Sequence, residues 1–131
     1  MNRGASGEQR LRSGRRPWVA GDIHRRRQAQ VRHQLSLALH AVVAQQLVPV
    51  GGAGSQLPAV EVLVATPAVR HLLRGGELQK LYNEVTLGRR HGMVSLEESL
   101  ARMVADGLLE IEEARLRTSR PDELVSLLSG G

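Results

Sequence analysis

The chain has 131 residues, is 41% apolar and contains no Phe, one Trp (Trp18) and one Tyr (Tyr82), so it is sized for one domain with a core of Leu, Val and Ala. Aromatic platforms for stacking bases are excluded by that composition, and the absence of Cys excludes disulfides and thiolate chemistry. The formal net charge of +5 is unevenly spread: residues 1 to 32 hold nine Arg against Glu8 and Asp22, a net of +7, whereas the remainder is slightly acidic.

The first segment, residues 1 to 27, combines Gly, Ser and like charges with almost no apolar periodicity. It is expected to be a disordered, arginine-rich tail, because it buries too little surface to offset its ordering entropy. Its twin arginines in "RRPWVA" are followed by "GDIHRRR" instead of an apolar stretch, so an export signal is not supported.

From Gln28 the pattern changes. Val31, Leu35, Leu39, Val42, Val43 and Leu47 recur at helical spacing and predict one amphipathic helix ending near Leu47, before Pro49. The run "LSLALHAVVAQQLVPV" is interrupted by His40, Gln45 and Gln46 and is too short for a membrane span. Next, "LVPV", "GGAGSQ" and "LPAVEVLVAT" read as two short strands around a glycine-rich turn, with Val60, Val62 and Val64 on one face.

Helices then follow to the end of the chain. Thr66 and Pro67 supply an N-cap and a first helical residue, and Gly75 and Gly76 a left-handed stop, around a helix of about two turns. A second helix is expected from Glu77, with Leu78, Leu81 and Val85 on one stripe and Gly88 beyond it. "SLEESLARMVADG" has a capping-box pattern in Ser95 and Glu98, one apolar face in Leu96, Leu100, Met103 and Val104, and a stop at Gly107. Two shorter helices are placed near "EIEEARLR" and "RPDELVSLL". The expected class is mainly α with one β-hairpin: a helix, the hairpin, then about five helices.

Few residues invite chemistry. Histidines stand at 24, 33, 40, 71 and 91, and His33 and His40 would lie two turns apart on the expected first helix. No Cys or carboxylate completes a zinc set, and the histidines are read as solvent-exposed. "GGAGS" lacks the lysine and following helix of a phosphate loop, and no nucleophile elbow is present. Glu97 and Glu98, like Glu112 and Glu113, are expected on exposed helix faces that do not converge on a substrate. No catalytic, cofactor-binding or metal residue is assigned. Arg70 and Arg74, at i and i+4 opposite Val69, Leu72 and Leu73, read as a solvated basic face able to clasp a carboxylate-rich partner. As exposed charges, both are expected to contribute little to stability.

"AVRHLLRGG" resembles the signature A-I-R-N-L-I-R-E-G of the type IV pilus retraction ATPases of twitching motility (PilT type), which are hexameric RecA-like motors. "QAQVRHQLSLALHAVVAQQLVP", "PAVEVLVATPAVR", "GMVSLEESLARMVADGLL" and "EEARLRTSRPDEL" are similar to the same family's consecutive C-terminal segments, across about residues 28 to 128. The resemblance implies the C-terminal helical part of a RecA-like ATPase domain. It places Ala68, Val69, Arg70, Leu72, Leu73 and Arg74 on the signature helix, which the family associates with retraction. His71 stands where Asn is usual and Gly75 replaces the usual Glu, which removes the acid of any family salt bridge there.

The family's Walker A loop, acidic boxes and histidine box would lie before residue 28 and are absent from this sequence. Residues 1 to 27 are therefore expected to be non-family sequence, from a truncation or frameshift, and residues 28 to 131 the family segment. The resemblance implies a subunit-docking, retraction-linked fragment that is inactive on its own, ATP and magnesium belonging to the intact family. It further implies other subunits of a homohexamer and the pilus inner-membrane platform as partners, and a cytoplasmic place at the inner face of the cell membrane. A reading from the residues alone is a small basic-tailed module that binds nucleic acid non-specifically, with no specific nucleic-acid site.

Overall fold

A computed structural model describes residues 17–52 and 54–130. A long helix α1 (Pro17–Ala38) leads into an antiparallel hairpin, β1 (Ala41–Pro49) and β2 (Gln56–Val64). Helix α2 (Pro67–Gly75) follows, then α3 (Leu81–Leu87), with a single 3₁₀ turn on either side of it at Leu78–Lys80 and Gly88–His91. The chain ends in α4 (Leu96–Ala105), α5 (Ile111–Arg117) and α6 (Pro121–Ser129). One hairpin among helices, with five helices after it, is the expected class.

The hairpin register pairs Ala41 with Val64 and Pro49 with Gln56, so Val42, Ala44, Val48, Ala59, Glu61 and Leu63 fall on one face, as the two-residue period requires. That face meets the helices. At the turn end, Val48 and Ala59 are fully buried against Leu100 and Met103 of α4, Ala114 of α5 and Leu124 of α6. At the open end, Leu63 packs on a second cluster of Val69 and Leu73 from α2, Val85 from α3 and Met93, which Val64 joins from the opposite face at the strand's last residue. Val62 and Val94 exchange two backbone hydrogen bonds of 2.8 and 3.0 Å, which ties the segment before α4 to the second edge of β2. The Ser99 hydroxyl on α4 accepts from the Val60 amide at 2.9 Å, satisfying another β2 donor.

Local signals set most boundaries. The Thr66 hydroxyl accepts from the Val69 amide, and Pro67 starts α2 where a missing N–H costs nothing. Gly76, at φ 70°, ends it, with the Glu77 amide on the Leu72 carbonyl and the Gly76 amide on that of Leu73. That pair of bonds is a Schellman motif, and it needs the left-handed residue that glycine supplies. Ser95 and Glu98 form both bonds of the capping box at the start of α4. Gly88 is required for a different reason: a Cβ there would stand 2.4 Å from the sulfur of buried Met93.

Two expectations are corrected. The first helix ends at Ala38 and not near Leu47, so His40 lies outside it and the stripe from Val31 to Leu47 spans two elements. Val42, Val43 and Val48 are β-branched and pair across the hairpin with Leu63, Val62 and Leu57, and those cross-strand contacts outweigh a helical spacing that continues by coincidence. The helix also starts at Pro17 and not near Gln28, so residues 17 to 27, expected to be disordered, are helical. An ion pair from Arg26 to Asp22 (3.1 Å) and a hydrogen bond between Gln28 and His24 (3.1 Å), both one turn apart, support that stretch. The rest of the expected tail, residues 1 to 16, lies outside the described residues. Among the described residues no helix is long and apolar enough to cross a membrane.

Candidate functional site

The signature helix α2 divides cleanly by face. Val69, Leu72 and Leu73 are buried, while Ala68, His71 and Arg74 are exposed. Arg70 does neither. Its guanidinium reaches α1 and donates to the backbone carbonyls of Ser36 (2.5 Å) and Leu37 (3.3 Å). The last carbonyls of a helix have no partner within it and carry its partial negative charge, so a cation there satisfies both the hydrogen bonding and the field. Arg70 is half-buried, and the expectation that it shares a solvated basic face with Arg74 is corrected.

A second contact joins the same two helices. The Arg32 guanidinium lies across Gly76, where a Cβ would sit 3.4 Å from its central carbon. Ser36 between them is fully buried and donates to the His33 carbonyl at 2.6 Å. The C-terminal turns of α1 therefore meet α2 at Arg70 and at the Gly76 cap, and Arg74, unlike Arg70, has no hydrogen-bond or ion-pair partner among the described residues.

Beside α3 and the start of α4, the inner face of the hairpin forms one wall of a cleft of about 420 Å³. Val42, Ala44, Leu63, Leu81, Val85 and Leu96 make its apolar lining, and Glu61, Tyr82, Glu97 and Arg120 supply the polar groups. Glu97 is 4% exposed and accepts a 2.5 Å hydrogen bond from the Thr118 hydroxyl, which corrects its expected place on an exposed face. The Arg120 guanidinium stacks 3.2 Å from the centroid of the Tyr82 ring. Burial pushes the Glu61 carboxyl above its ordinary value, the charge of Glu97 pushes it further, and Arg120 opposes both. The Tyr82 hydroxyl is enclosed, and burial first, then the charges of Glu97 and Glu123, raise its pKa against the opposing pull of Arg120.

Reading the sequence missed this cleft. The one available signal was the carboxylate of Glu61, standing within the run "AVEVLV" on the opposite parity from Val60 and Val62. The other members come from α3, α4 and the turn before α6, and only the fold brings them together. Among the described residues no group of three His, Asp or Glu side chains gathers as a metal set.

Three relatives are similar over most of this chain. The type IV pilus retraction ATPase PilT of Pseudomonas aeruginosa is 35% identical over 94 residues, which is 72% of this chain and 27% of that protein. A twitching motility protein of Neisseria gonorrhoeae is 32% identical over 94 residues, 72% of this chain and 25% of its own length. The solved structure of the pilus retraction motor PilT with bound ADP superposes with a TM-score of 0.62 at 30% identity, covering 75% of this chain and 26% of that one. The chain thus spans about a quarter of the length of the relatives it matches. No protein-family model matches it.

The division of α2 separates the two arginines in stability. Arg70→Ala should lower the free energy of unfolding by about 1 to 2 kcal/mol, because it strands carbonyls that a charged donor satisfied. Arg74→Ala should change it by no more than about 0.5 kcal/mol. Urea unfolding followed by circular dichroism measures both, and equal losses would remove the distinction.

For Glu61, a folded-state pKa above the unfolded value means the folded chain holds the proton more tightly. Its contribution is then present below the unfolded pKa and is lost as pH rises through the folded one. Glu61→Gln should flatten the decline in stability from about pH 4.5 upward. Thermal unfolding scanned across that range tests it, and a variant curve parallel to the wild type would contradict the assignment.

Proposed function

The chain belongs to the PilT-type retraction ATPases of type IV pili, through a stretch corresponding to their C-terminal portion, and on that premise we propose that it is a docking segment of such a motor. Its α2 is the helix presented to a neighbouring subunit. The observation that carries this reading is the partition of that helix: one face is spent on the core, Arg70 is spent on α1, and Ala68, His71 and Arg74 remain outward. A small residue lets a partner approach, and a guanidinium less than two turns away can take a carboxylate in bidentate fashion. In the whole motor the partners are further subunits of a homohexamer and the pilus platform, at the cytoplasmic face of the inner membrane.

The segment contributes no nucleotide site of its own in this reading. A phosphate loop needs backbone amides at a helix N-terminus and a lysine on the terminal phosphates. Here the glycine-rich turn runs from β1 into β2, and the one lysine, Lys80, is paired with Glu77. ATP and magnesium belong elsewhere in an intact motor.

Two measurements test the proposal. Mixed with the intact Pseudomonas PilT, the chain should move into a faster-sedimenting fraction, and Arg74→Glu should weaken that association about tenfold, or about 1.4 kcal/mol. An unchanged sedimentation profile would sink the docking role. Calorimetry of the isolated chain with ATP should give no saturable, magnesium-dependent isotherm near physiological salt, where weak attraction to surface arginines is screened. A micromolar isotherm that requires magnesium would instead place a nucleotide site within this segment.

A further inference from the structure

The structure leaves α1 from Asp22 to Val31 without a tertiary partner among the described residues. Every residue from Asp22 to Val31 is exposed, whereas Arg32, Ser36 and Leu39 turn toward the rest of the protein. Within Asp22 to Gln30 the one large aliphatic residue is Ile23, itself half exposed, so this part of the helix has no apolar stripe. A helix that is polar all round gains nothing from a hydrophobic groove or from the acyl boundary of a membrane, both of which require an apolar face.

It does present charge. Arg25, Arg26 and Arg27 are consecutive, and at 100° per residue they fan over about 200° of the helix surface. Arg26 is 80% exposed and paired with Asp22; Arg25 and Arg27 have no ion pair among the described residues. The rest of the sequence offers little net charge to neutralise them, since residues 33 to 131 hold nine basic and eleven acidic side chains. Residues 1 to 16 contribute five more arginines in sequence, against Glu8.

We infer that α1 from Asp22 to Val31 is a basic arm that docks on the phosphate backbone of duplex nucleic acid, without sequence preference. The complementarity is of charge and of shape. A helix about 10 to 12 Å across matches the roughly 12 Å width of the major groove of B-form DNA, and arginines fanned over half its circumference reach phosphates on both flanks. Guanidinium forks suit phosphate oxygens, contacts that fix position on the duplex and carry no sequence information. Docking also supplies what the free arm lacks, since only two local one-turn pairs hold it helical on its own.

The experiment is fluorescence anisotropy of the full chain with labelled duplex DNA of about 20 base pairs at several salt concentrations. Affinity should fall steeply between about 50 and 200 mM KCl and be alike for unrelated sequences. The triple variant Arg25→Ala, Arg26→Ala, Arg27→Ala should bind about tenfold or more weakly at low salt, with a log–log salt slope smaller in magnitude by about 2 to 3. Because these side chains are exposed, circular dichroism and thermal unfolding of the body should be unchanged in the variant, so a folding defect is told apart from lost binding. Three results would each overturn the proposal: no binding at about 50 mM KCl, binding that the triple variant leaves intact, or tighter binding to phosphatidylcholine vesicles with about 30% phosphatidylserine than to the duplex.

Discussion

Two strands alone do not make a stable sheet in water, and every other element is arranged around that fact. The hairpin has one inward face about nine residues long, more than any one short helix covers. The chain solves this at two ends. Val48 and Ala59 near the turn are sealed by α4, α5 and α6, and Leu63 at the open end by α2, α3 and Met93. Between the two clusters the inner face carries Glu61, whose carboxyl is held among apolar side chains, Tyr82 and Arg120. The polar cleft is thus the seam between two apolar cores, and its raised carboxyl pKa is a product of that position.

Much of this was legible in the sequence where local chemistry sets the structure. The boundaries of α2 and α4 follow from Thr66, Pro67, Gly76, Ser95 and Glu98, each of which acts on backbone groups within a few residues of itself. What failed to be legible depends on distant partners. Val42, Val43 and Leu47 continue the helical spacing of Val31 and Leu35, and nothing local says that Leu63 and Val62 wait to pair with the valines. The N-terminal reach of α1 to Pro17 was missed for the converse reason: few tertiary contacts support it, so apolar periodicity carried no signal. Glu97 was misplaced because its partner Thr118 stands in the turn before α6, 21 residues along the chain.

The two signature arginines show how equal spacing hides unequal roles. Both sit on α2 one turn apart, yet one serves the end of α1 and the other faces outward. Arg70 links the orientation of α2 to that of a helix more than thirty residues earlier in the chain, and Arg32 packs across Gly76 with its buried Nε left without a hydrogen-bond partner. With α1 and α2 fastened in this way, the outward face of α2 is set by the core beneath it and by a long helix whose far half is free. α1 and α2 are thus joined directly by guanidinium–carbonyl hydrogen bonds from Arg70 as well as through the hairpin between them.

The remaining edge of the hairpin has its own consequence. β1 pairs with β2 on one side and has no strand on the other among the described residues, while Val43 and Leu47 on its outer face are 67% and 53% exposed. From Ala41 to Pro49 it carries no charged side chain and no bulge, and its single proline is the terminal residue. Such a strand has unpaired amides and carbonyls in regular register beside an apolar surface, with none of the devices that discourage recruitment of another chain. Chains with this edge uncovered have a route to strand-by-strand self-association, in which the hairpin's ladder continues from molecule to molecule, and their solubility becomes a matter of concentration.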